Sequence, residues 1–286
     1  MEKVKKKKKK TNKTGLYFIL PSLIGVAIFT LLPFLDVVIR SFQSAISREF
    51  IGLDNYVEIF QNAAFKLASQ NTIKFVLVCI PLLLVISLLI AVFLNRFVQA
   101  SQILRTAFLI PMAVPIASVV LIWNIVFHEQ GVLSGVLSHF NIVGQDWMST
   151  GYAFWVLVFS YIWKNLGYTI ILWLAGLNAI SNEIYESAKV DGAGDFKCFT
   201  SITLPCLKPT LYTVAVLSLL NSFKVFREAY LVAGDYPHKS MYLLQHLFNN
   251  WFRELSFGKM AAASVVMAII IFILIMLLQR AWESQD

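Results

Sequence analysis

Six long apolar segments constrain the fold of this chain more than any other feature of its sequence. A helix needs about 20 mainly apolar residues to cross the hydrocarbon layer of a bilayer, because each residue rises only about 1.5 Å along the helix axis. The segments that reach this length are Leu16–Ile39, Thr72–Leu94, Thr106–Phe127, Tyr152–Leu174, Leu211–Val232 and Ala261–Leu278. They predict an all-α polytopic membrane protein with six transmembrane helices, several of them kinked by internal prolines.

Composition argues against a soluble enzyme. Of the 286 residues, 58% are hydrophobic and 14% are charged, whereas a soluble domain has roughly 45–50% apolar and about 25% charged residues. The formal net charge of +8 comes from lysines in the first 13 positions, so no basic folded face exists for nucleic acid. Cys79, Cys198 and Cys206 are too scattered for a disulfide framework or a metal site.

The lysine-rich N-terminus predicts the orientation of the chain. Residues 1–14 are expected to form a solvated basic tail, which also suits anionic lipid headgroups, and residues 15–286 the membrane domain. The positive-inside bias places the tail in the cytoplasm, and six spans then place both termini there. The predicted inner side carries 14 Lys and Arg residues and the predicted outer side 7, with Lys74 at the outer end of the second span included; without the tail these numbers are 6 and 7. The orientation therefore depends on the tail alone.

The connection between the fourth and fifth spans, residues 178–209, is polar and predicted to be cytoplasmic. Ser181 is placed to cap a helix, Glu183 suits its positive end, and Gly192 is placed to stop it. Ile184 and Ala188 lie four residues apart and share an apolar face beside Tyr185. A helix of about ten residues is not stable alone in water, so this one requires a partner surface, either in its own bundle or on another protein.

This connection carries a family signature. From Glu183 to Pro209 it reads EIYESAKVDGAGDFKCFTSITLPCLKP. It resembles the loop of the inner-membrane permease subunits of type I ATP-binding-cassette importers, which has the form EAA, three residues, glycine, and further on I-x-LP. The matching residues are Glu186, Ala188, Asp191, Gly192, Ala193, Phe199, Ile202, Leu204, Pro205 and Pro209, and Ser187 replaces the usual second-position alanine.

A second resemblance concerns cargo. The segment FIGLDNYVEIF, residues 50–60, is similar to the external segment after the first helix in permeases for sugars and glycerol phosphates, the maltose and glycerol-3-phosphate type. This implies a carbohydrate, an oligosaccharide or a sugar derivative. The sequence departs from the pattern of these sugar permeases after the fifth span. There it reads FREAYLVAGDYP, residues 226–237, and Asp235 and Tyr236 replace two glycines of that pattern. That departure leaves the shape of this loop and the cargo open.

The resemblance implies an assembly. This chain would form half of a translocation pore in the cell membrane of a prokaryote, with the first helix at 16–39, the core at about 70–281 and the coupling loop at 178–209. The partners implied are a second homologous permease, two ATPase subunits that bind ATP and Mg, and an extracellular solute-binding protein. No cofactor is expected on the chain itself.

The resemblance also implies the residues that contact the ATPase. A helix spanning 183–192 would dock into a groove of that subunit, with Glu186 meeting an arginine, Ala188 allowing close approach, and Asp191 and Gly192 forming the turn. The implied coupling residues are Glu183, Tyr185, Glu186, Ala188, Asp191 and Gly192. The alternative is a surface helix that lies against the membrane, a common use of amphipathic segments.

Polar residues inside the fourth and fifth spans are candidates for the substrate pathway, because polar groups in a bundle core are costly and usually face a cavity or a partner. The candidates are Asn165, Gly167, Tyr168, Asn221, Ser222 and Lys224: amides and hydroxyls suit sugar hydroxyls, and Gly167 leaves space. The alternative is hydrogen bonding between helices, with snorkelling of Lys164 or Lys224. Arg227 and Glu228 are adjacent, so they are expected to pair with other chains or with the loop.

No catalytic residue is expected on this chain. It contains no phosphate-binding loop of the GxxxxGK[ST] type, so ATP must be hydrolysed elsewhere. The four histidines, His128, His139, His238 and His246, are expected to make ordinary surface hydrogen bonds. A gradient-driven secondary transporter would show inverted repeats, which the sequence lacks. That class and a non-transporting membrane scaffold remain the alternatives.

Overall fold

The computed structural model describes residues 13–96 and 101–283, and these are helical almost throughout. The helices are α1 (Lys13–Val26), α2 (Leu32–Arg40), α3 (Asp54–Gln61), α4 (Ala63–Arg96), α5 (Ser101–Ala113), α6 (Ile116–Phe127), α7 (Val132–Ser138), α8 (Ala153–Asn178), α9 (Asn182–Val190), α10 (Asp195–Cys198), α11 (Leu204–Cys206), α12 (Lys208–Ser222), α13 (Phe226–Ala233), α14 (Leu244–Arg253) and α15 (Phe257–Glu283). A π-helical turn at Ala27–Leu31 joins α1 to α2. Extended pairing in the described residues is limited to one isolated bridge between Gln43 and Phe50.

The predicted fold class and the predicted number of spans are confirmed. By length and composition, six helical segments of the described residues are able to cross a membrane: Tyr17–Arg40, Ala63–Asn95, Ile116–Ser138, Ala153–Asn178, Lys208–Ala233 and Phe257–Arg280. The predicted basic tail falls, except for its last two residues, outside the described part of the chain.

The third span differs from its prediction. The sequence predicts one helix over Thr106–Phe127, but α5 ends at Ala113 and α6 begins only at Ile116. Pro115 stands at the break in an extended conformation, with φ −58° and ψ 143°. Proline has no N–H to donate and disfavours helical geometry in the residue before it, so the chain breaks there. The candidate third span therefore runs over Ile116–Ser138. It begins later than predicted, and it includes α7, which lies in the stretch that was expected to be a loop, residues 128–151.

The chain divides into two compact units. The smaller unit consists of the described residues of Met1–Ile59 together with Leu255–Ala268. Asn55 orders its turn: the side-chain amide donates to the carbonyls of Ser41 (3.0 Å) and Gln43 (2.9 Å). A Cβ on Gly258 would lie 2.8 Å from Oδ1 of Asn55, so the glycine permits this contact. Asn55 of the FIGLDNYVEIF segment thus has a structural role in this unit.

The larger unit, Phe60–Glu254 and Ile269–Asp286, is built around α8. This helix packs against α4, α5 and α12. Trp173 of α8 is 1% exposed, and its indole N–H donates to Ser87 of α4 at 2.9 Å. A Cβ on Gly167 would lie 1.9 Å from the Phe108 carbonyl oxygen. Glycine at position 167 therefore lets α5 approach the backbone of α8.

Candidate functional site

A polar cavity of about 210 Å³ lies between α5, α6, α8, α12 and α13 in the larger unit. We call it the membrane cavity, because four of these helices belong to candidate spans. Its lining residues are Met112, Ile116, Ser160, Tyr161, Lys164, Asn165, Tyr168, Asn221, Lys224, Val225, Arg227 and Glu228. Chemically, this lining offers several hydroxyl and amide groups, three basic groups and one carboxylate to a solute.

Hydrogen bonds order the polar wall of the membrane cavity. Lys224 donates through Nζ to Oδ1 of Asn221 at 2.7 Å, and Asn221 donates through Nδ2 to the Tyr168 hydroxyl at 2.9 Å. Asn165 donates to the Tyr161 carbonyl one turn earlier on α8, at 2.8 Å. The Asn221–Tyr168 bond joins two spans and also leaves both residues on the cavity wall. The sequence left open whether these residues line a cavity or form hydrogen bonds between helices. Asn221 and Tyr168 do both.

Two lining residues of the membrane cavity form an ion pair. Lys164 Nζ lies 2.6 Å from Oε1 of Glu228, and the two side chains are 20% and 7% exposed. The expectation that Glu228 pairs with another chain or with the loop was wrong, because its partner is 64 residues away in the neighbouring span. The other carboxylate oxygen of Glu228, Oε2, is buried and has no hydrogen-bond partner among the described residues.

The structure brings together four of the six candidate pathway residues: Asn165, Tyr168, Asn221 and Lys224 line the membrane cavity. Gly167 instead faces α5, and the hydroxyl of Ser222 is buried and donates to the Leu219 carbonyl at 2.6 Å. These two do not line the cavity.

Ser160 and Tyr161 are lining residues that the sequence reasoning missed. Tyr161, Lys164, Asn165 and Tyr168 are spaced three or four residues apart, which places them on one face of α8. That spacing is a signal that could have identified Tyr161 in advance.

A short capped helix, α9, forms the second candidate site, at the end of the larger unit where α8 ends. Ser181 caps its N-terminus, since the serine hydroxyl accepts from the backbone N–H of Glu183 at 3.3 Å. Gly192 adopts a positive φ of 80°, and the N–H groups of Gly192 and Ala193 donate to the carbonyls of Lys189 (3.0 Å) and Ala188 (2.8 Å). This is the bonding pattern of a glycine-terminated helix, and it confirms the predicted start and stop.

The predicted coupling residues all lie on or beside α9, and they differ in exposure. Glu183, Glu186, Asp191 and Gly192 are exposed, whereas Tyr185 and Ala188 are partly buried. The Tyr185 hydroxyl lies 2.8 Å from the hydroxyl of Thr203, which ties α9 to the chain that leads into α12.

Two apolar side chains near α9 were missed by the sequence reasoning. Val190 is 88% exposed and Phe196 is 81% exposed, although both belong to a polar connection between spans. A contiguous patch of exposed apolar side chains marks an interaction site, whereas single exposed apolar residues are common on protein surfaces. Their apolar character within a charged stretch was the signal that would have found them.

A polar cluster holds the segment between α13 and α14, which contains the departure from the usual sequence pattern. Asp235 forms an ion pair with Arg253, and this contact holds the pKa of the carboxyl below its ordinary value. Asn249 donates to the Asp235 carboxylate at 3.2 Å, and Asn250 to its backbone carbonyl at 3.2 Å. Gly234 just before it has φ 70° and ψ −153°, a conformation essentially restricted to glycine. Asp235 thus anchors the segment to α14.

His246 on α14 corrects the expectation for the histidines. His128, His139 and His238 are exposed, but His246 is 0% exposed and packs edge-on against Phe226 at 4.8 Å between ring centroids. Its Nδ1 accepts from the Leu243 N–H at 3.2 Å, and burial lowers its pKa from 6.5 to about 4. This imidazole is therefore neutral in the folded protein at physiological pH.

Acid is expected to destabilise the protein through His246. The unfolded chain, with an ordinary histidine pKa, binds a proton before the folded chain does, so stability is complete above about pH 6.5 and falls as the pH approaches 4, by roughly 3 kcal/mol. Thermal unfolding midpoints measured between about pH 7 and about pH 4.5 test this. His246→Gln should flatten the pH dependence and His139→Gln should not; equal slopes for wild type and His246→Gln would contradict the assignment.

Comparisons with known proteins bear on both sites. The sequence model of the family described as "Binding-protein-dependent transport system inner membrane component" matches residues 73–283. The chain is 30% identical to the trehalose/maltose transport system permease protein MalF of Thermococcus litoralis, with 91% of this chain and 90% of that protein covered. It is 29% identical to the sn-glycerol-3-phosphate transport system permease protein UgpA of Escherichia coli, with 93% and 92% covered.

A solved structure shows the same fold. The match is a chain in the crystal structure of a bacterial ABC transporter involved in the import of the acidic polysaccharide alginate, with a TM-score of 0.81 and 96% of both chains covered. The sequence identity is 22%, so this likeness concerns the fold. The residues matched by the family model, 73–283, include all five helices that enclose the membrane cavity as well as the helix α9.

Proposed function

This chain belongs to the family of binding-protein-dependent transport system inner membrane components, and on that premise we propose that it is a permease subunit of an ATP-driven carbohydrate importer. In this role it forms half of the translocation pore and hydrolyses nothing itself. Its two sites have different roles. The membrane cavity contacts the solute, and α9 receives the force from a separate ATPase.

The observation that carries this proposal is the exposure of α9. The helix is fully capped within its own sequence, yet Glu186 and the neighbouring Val190 are exposed. A nine-residue helix has little stability of its own in water, so a surface that it packs against stabilises it. A groove on an ATPase subunit, with a basic residue for Glu186 and an apolar patch for Val190 and Phe196, fits this face. Glu183, Tyr185, Ala188, Asp191 and Gly192 then shape the helix and its turn.

The link between α9 and the cavity supports a lever mechanism. Tyr185 is hydrogen-bonded to Thr203, which precedes α11 and α12, and α12 carries Asn221 on the cavity wall. Movement of the ATPase would shift α9 as a rigid body, and α12 and α13 would follow. Such a displacement changes which side of the membrane reaches the cavity, provided that the bundle has two packed arrangements.

The assembly we propose has further members. A second homologous permease completes the pore, two ATPase subunits bind ATP and Mg, and an extracellular solute-binding protein delivers the cargo. The chain crosses the cell membrane six times with both termini in the cytoplasm. Its tail, residues 1–14, lies in the cytoplasm, and the loop 178–209 faces the ATPases.

Carbohydrate is the proposed cargo for two reasons. Relatives that cover nearly the whole chain carry trehalose and maltose or sn-glycerol-3-phosphate by their names. The cavity wall offers Asn165, Tyr168 and Asn221, whose amides and hydroxyl suit sugar hydroxyl groups. The named relatives take both neutral and anionic solutes, so relationship alone does not decide the charge of the cargo.

Purification of the complex tests the proposed function. The tagged chain, extracted in mild detergent, is expected to co-purify with an ATPase and a second permease. Proteoliposomes that contain the complex should take up sugar only when ATP is supplied on the side of the membrane where the ATPase subunits lie and the binding protein is present. Uptake by the lone chain, driven by an ion gradient and insensitive to ATP, would favour a secondary transporter. The absence of any transport in proteoliposomes that contain every component would favour a membrane scaffold.

A further inference from the structure

The charges around the membrane cavity do not balance. Three basic side chains line it, Lys164, Lys224 and Arg227, against a single carboxylate, Glu228. Lys164 lies 2.6 Å from that carboxylate and neutralises it. The lining therefore retains two positive charges that no acidic lining residue compensates. Charged groups at membrane depth are costly and usually serve a solute or a partner.

Lys224 and Arg227 stand together on one side of the cavity. They are three residues apart, on the helical stretch that runs from the 3₁₀ turn Phe223–Val225 into α13, so their side chains project from the same face. Lys224 donates to the neutral Asn221 side chain. Among the ion pairs of the described residues, neither Lys224 nor Arg227 takes part. An ammonium and a guanidinium placed in this way form a fork for an anionic group.

Glu228 supplies the opposite kind of contact. The residue is 6% exposed, it lines the cavity, and its Oε2 has no hydrogen-bond partner among the described residues. A buried carboxylate oxygen without a donor carries a desolvation cost that a hydroxyl group would remove. The cavity lining thus offers Glu228 as an acceptor for a sugar hydroxyl and, beside it, Lys224 and Arg227 as donors to an anionic group.

We infer that the membrane cavity selects an anionic sugar derivative, whose carboxylate, phosphate or sulfate binds Lys224 and Arg227 while one hydroxyl donates to Oε2 of Glu228. A neutral sugar would satisfy Glu228 and the amides but leave the two cations of the cavity lining without a counter-charge. An anionic sugar satisfies both. This inference rests on the proposed function and adds the charge class of the cargo to it.

The first test identifies the cargo without assuming it. Cells that carry the complete importer, and matched cells that lack only this chain, are exposed briefly to a mixture of neutral, uronic-acid-containing, phosphorylated and sulfated oligosaccharides, and the internal sugars are identified by mass spectrometry. Accumulation of acidic sugars that depends on the chain is the expected result. Accumulation of neutral sugars alone would overturn the inference and leave the proposed function standing. No difference between the two cell types would overturn the proposed function, and the inference with it.

The second test places the anion on the two basic residues. Arg227→Gln and Lys224→Gln should each raise the KM for the acidic sugar by about tenfold, the loss expected for one charge-assisted hydrogen bond, with little change in the amount of protein in the membrane. Lys66→Gln removes a positive charge from an exposed position outside the cavity lining and serves as the matched control. Unchanged KM in Arg227→Gln and Lys224→Gln, or an equal rise in the control, would refute the anion site.

Discussion

Replacing Glu186 by lysine is expected to abolish ATP-dependent uptake while the protein still inserts and folds. Glu186 is exposed on α9, so the change should alter stability by no more than about 0.5 kcal/mol. Reversing its charge opposite a basic residue of the ATPase would replace attraction by repulsion, which costs several kcal/mol at an interface. The measurement is uptake per folded complex, together with the amount of ATPase that co-purifies.

Glu129→Lys is the matched control for this prediction. It makes the same change of charge at another exposed position, at the opposite end of the larger unit, where α8 begins. Gly192→Pro is the second variant: proline is confined to φ near −65°, whereas Gly192 has φ 80° and donates its N–H to Lys189. Normal uptake by Glu186→Lys and Gly192→Pro would count against α9 as the site of coupling.

Breaking the Lys164–Glu228 pair from either side is expected to cost about 3–5 kcal/mol, since removal of one partner leaves a largely buried charge uncompensated. Lys164→Met and Glu228→Leu should therefore each destabilise the folded protein strongly. The double variant, which buries no charge, should recover to within about 1 kcal/mol of wild type. Unfolding by SDS or by heat in detergent micelles measures the three values and yields their coupling energy.

The Lys259–Glu58 pair provides the control. It has the same separation of 2.6 Å, but its side chains are 30% and 53% exposed, so its coupling energy should be below about 1 kcal/mol. Simply additive effects at Lys164 and Glu228 would mean that the pair is not stabilising. The double variant is also informative about function: it should fold yet transport poorly, because it removes the one carboxylate from the cavity lining.

The parts of the fold that could be predicted depend on local sequence. The six spans follow from runs of apolar residues. Helix α9 follows from Ser181 and Gly192, because the capping bonds at its two ends reach only two to five residues along the chain. Such interactions are determined by neighbours in sequence. The same holds for the exposed face of α9, because a charged residue such as Glu186 in a short polar helix is rarely buried.

The sequence could predict which residue types line the cavity, but it could not predict how those side chains are arranged or paired. The intramembrane polar residues are conspicuous in an apolar sequence, and Asn165 and Tyr168 were identified for that reason. The partner of Glu228 was not predictable, because Lys164 is 64 residues away and spacing along one helix says nothing about which face of another helix it meets. Gly167 was assigned to the wrong surface for the same reason.

The sequence by itself determined that the chain lies in a lipid bilayer, how many times it spans that bilayer, and that a short helix lies between α8 and α10. The physical reason is that burial of apolar surface in lipid and capping of backbone groups both act within a single segment. Only the tertiary structure decided how charges are distributed around the membrane cavity, that His246 is buried, and that Asp235 is tied to Arg253. These depend on contacts between segments far apart in sequence, whose free energy is set by the relative rotation of packed helices.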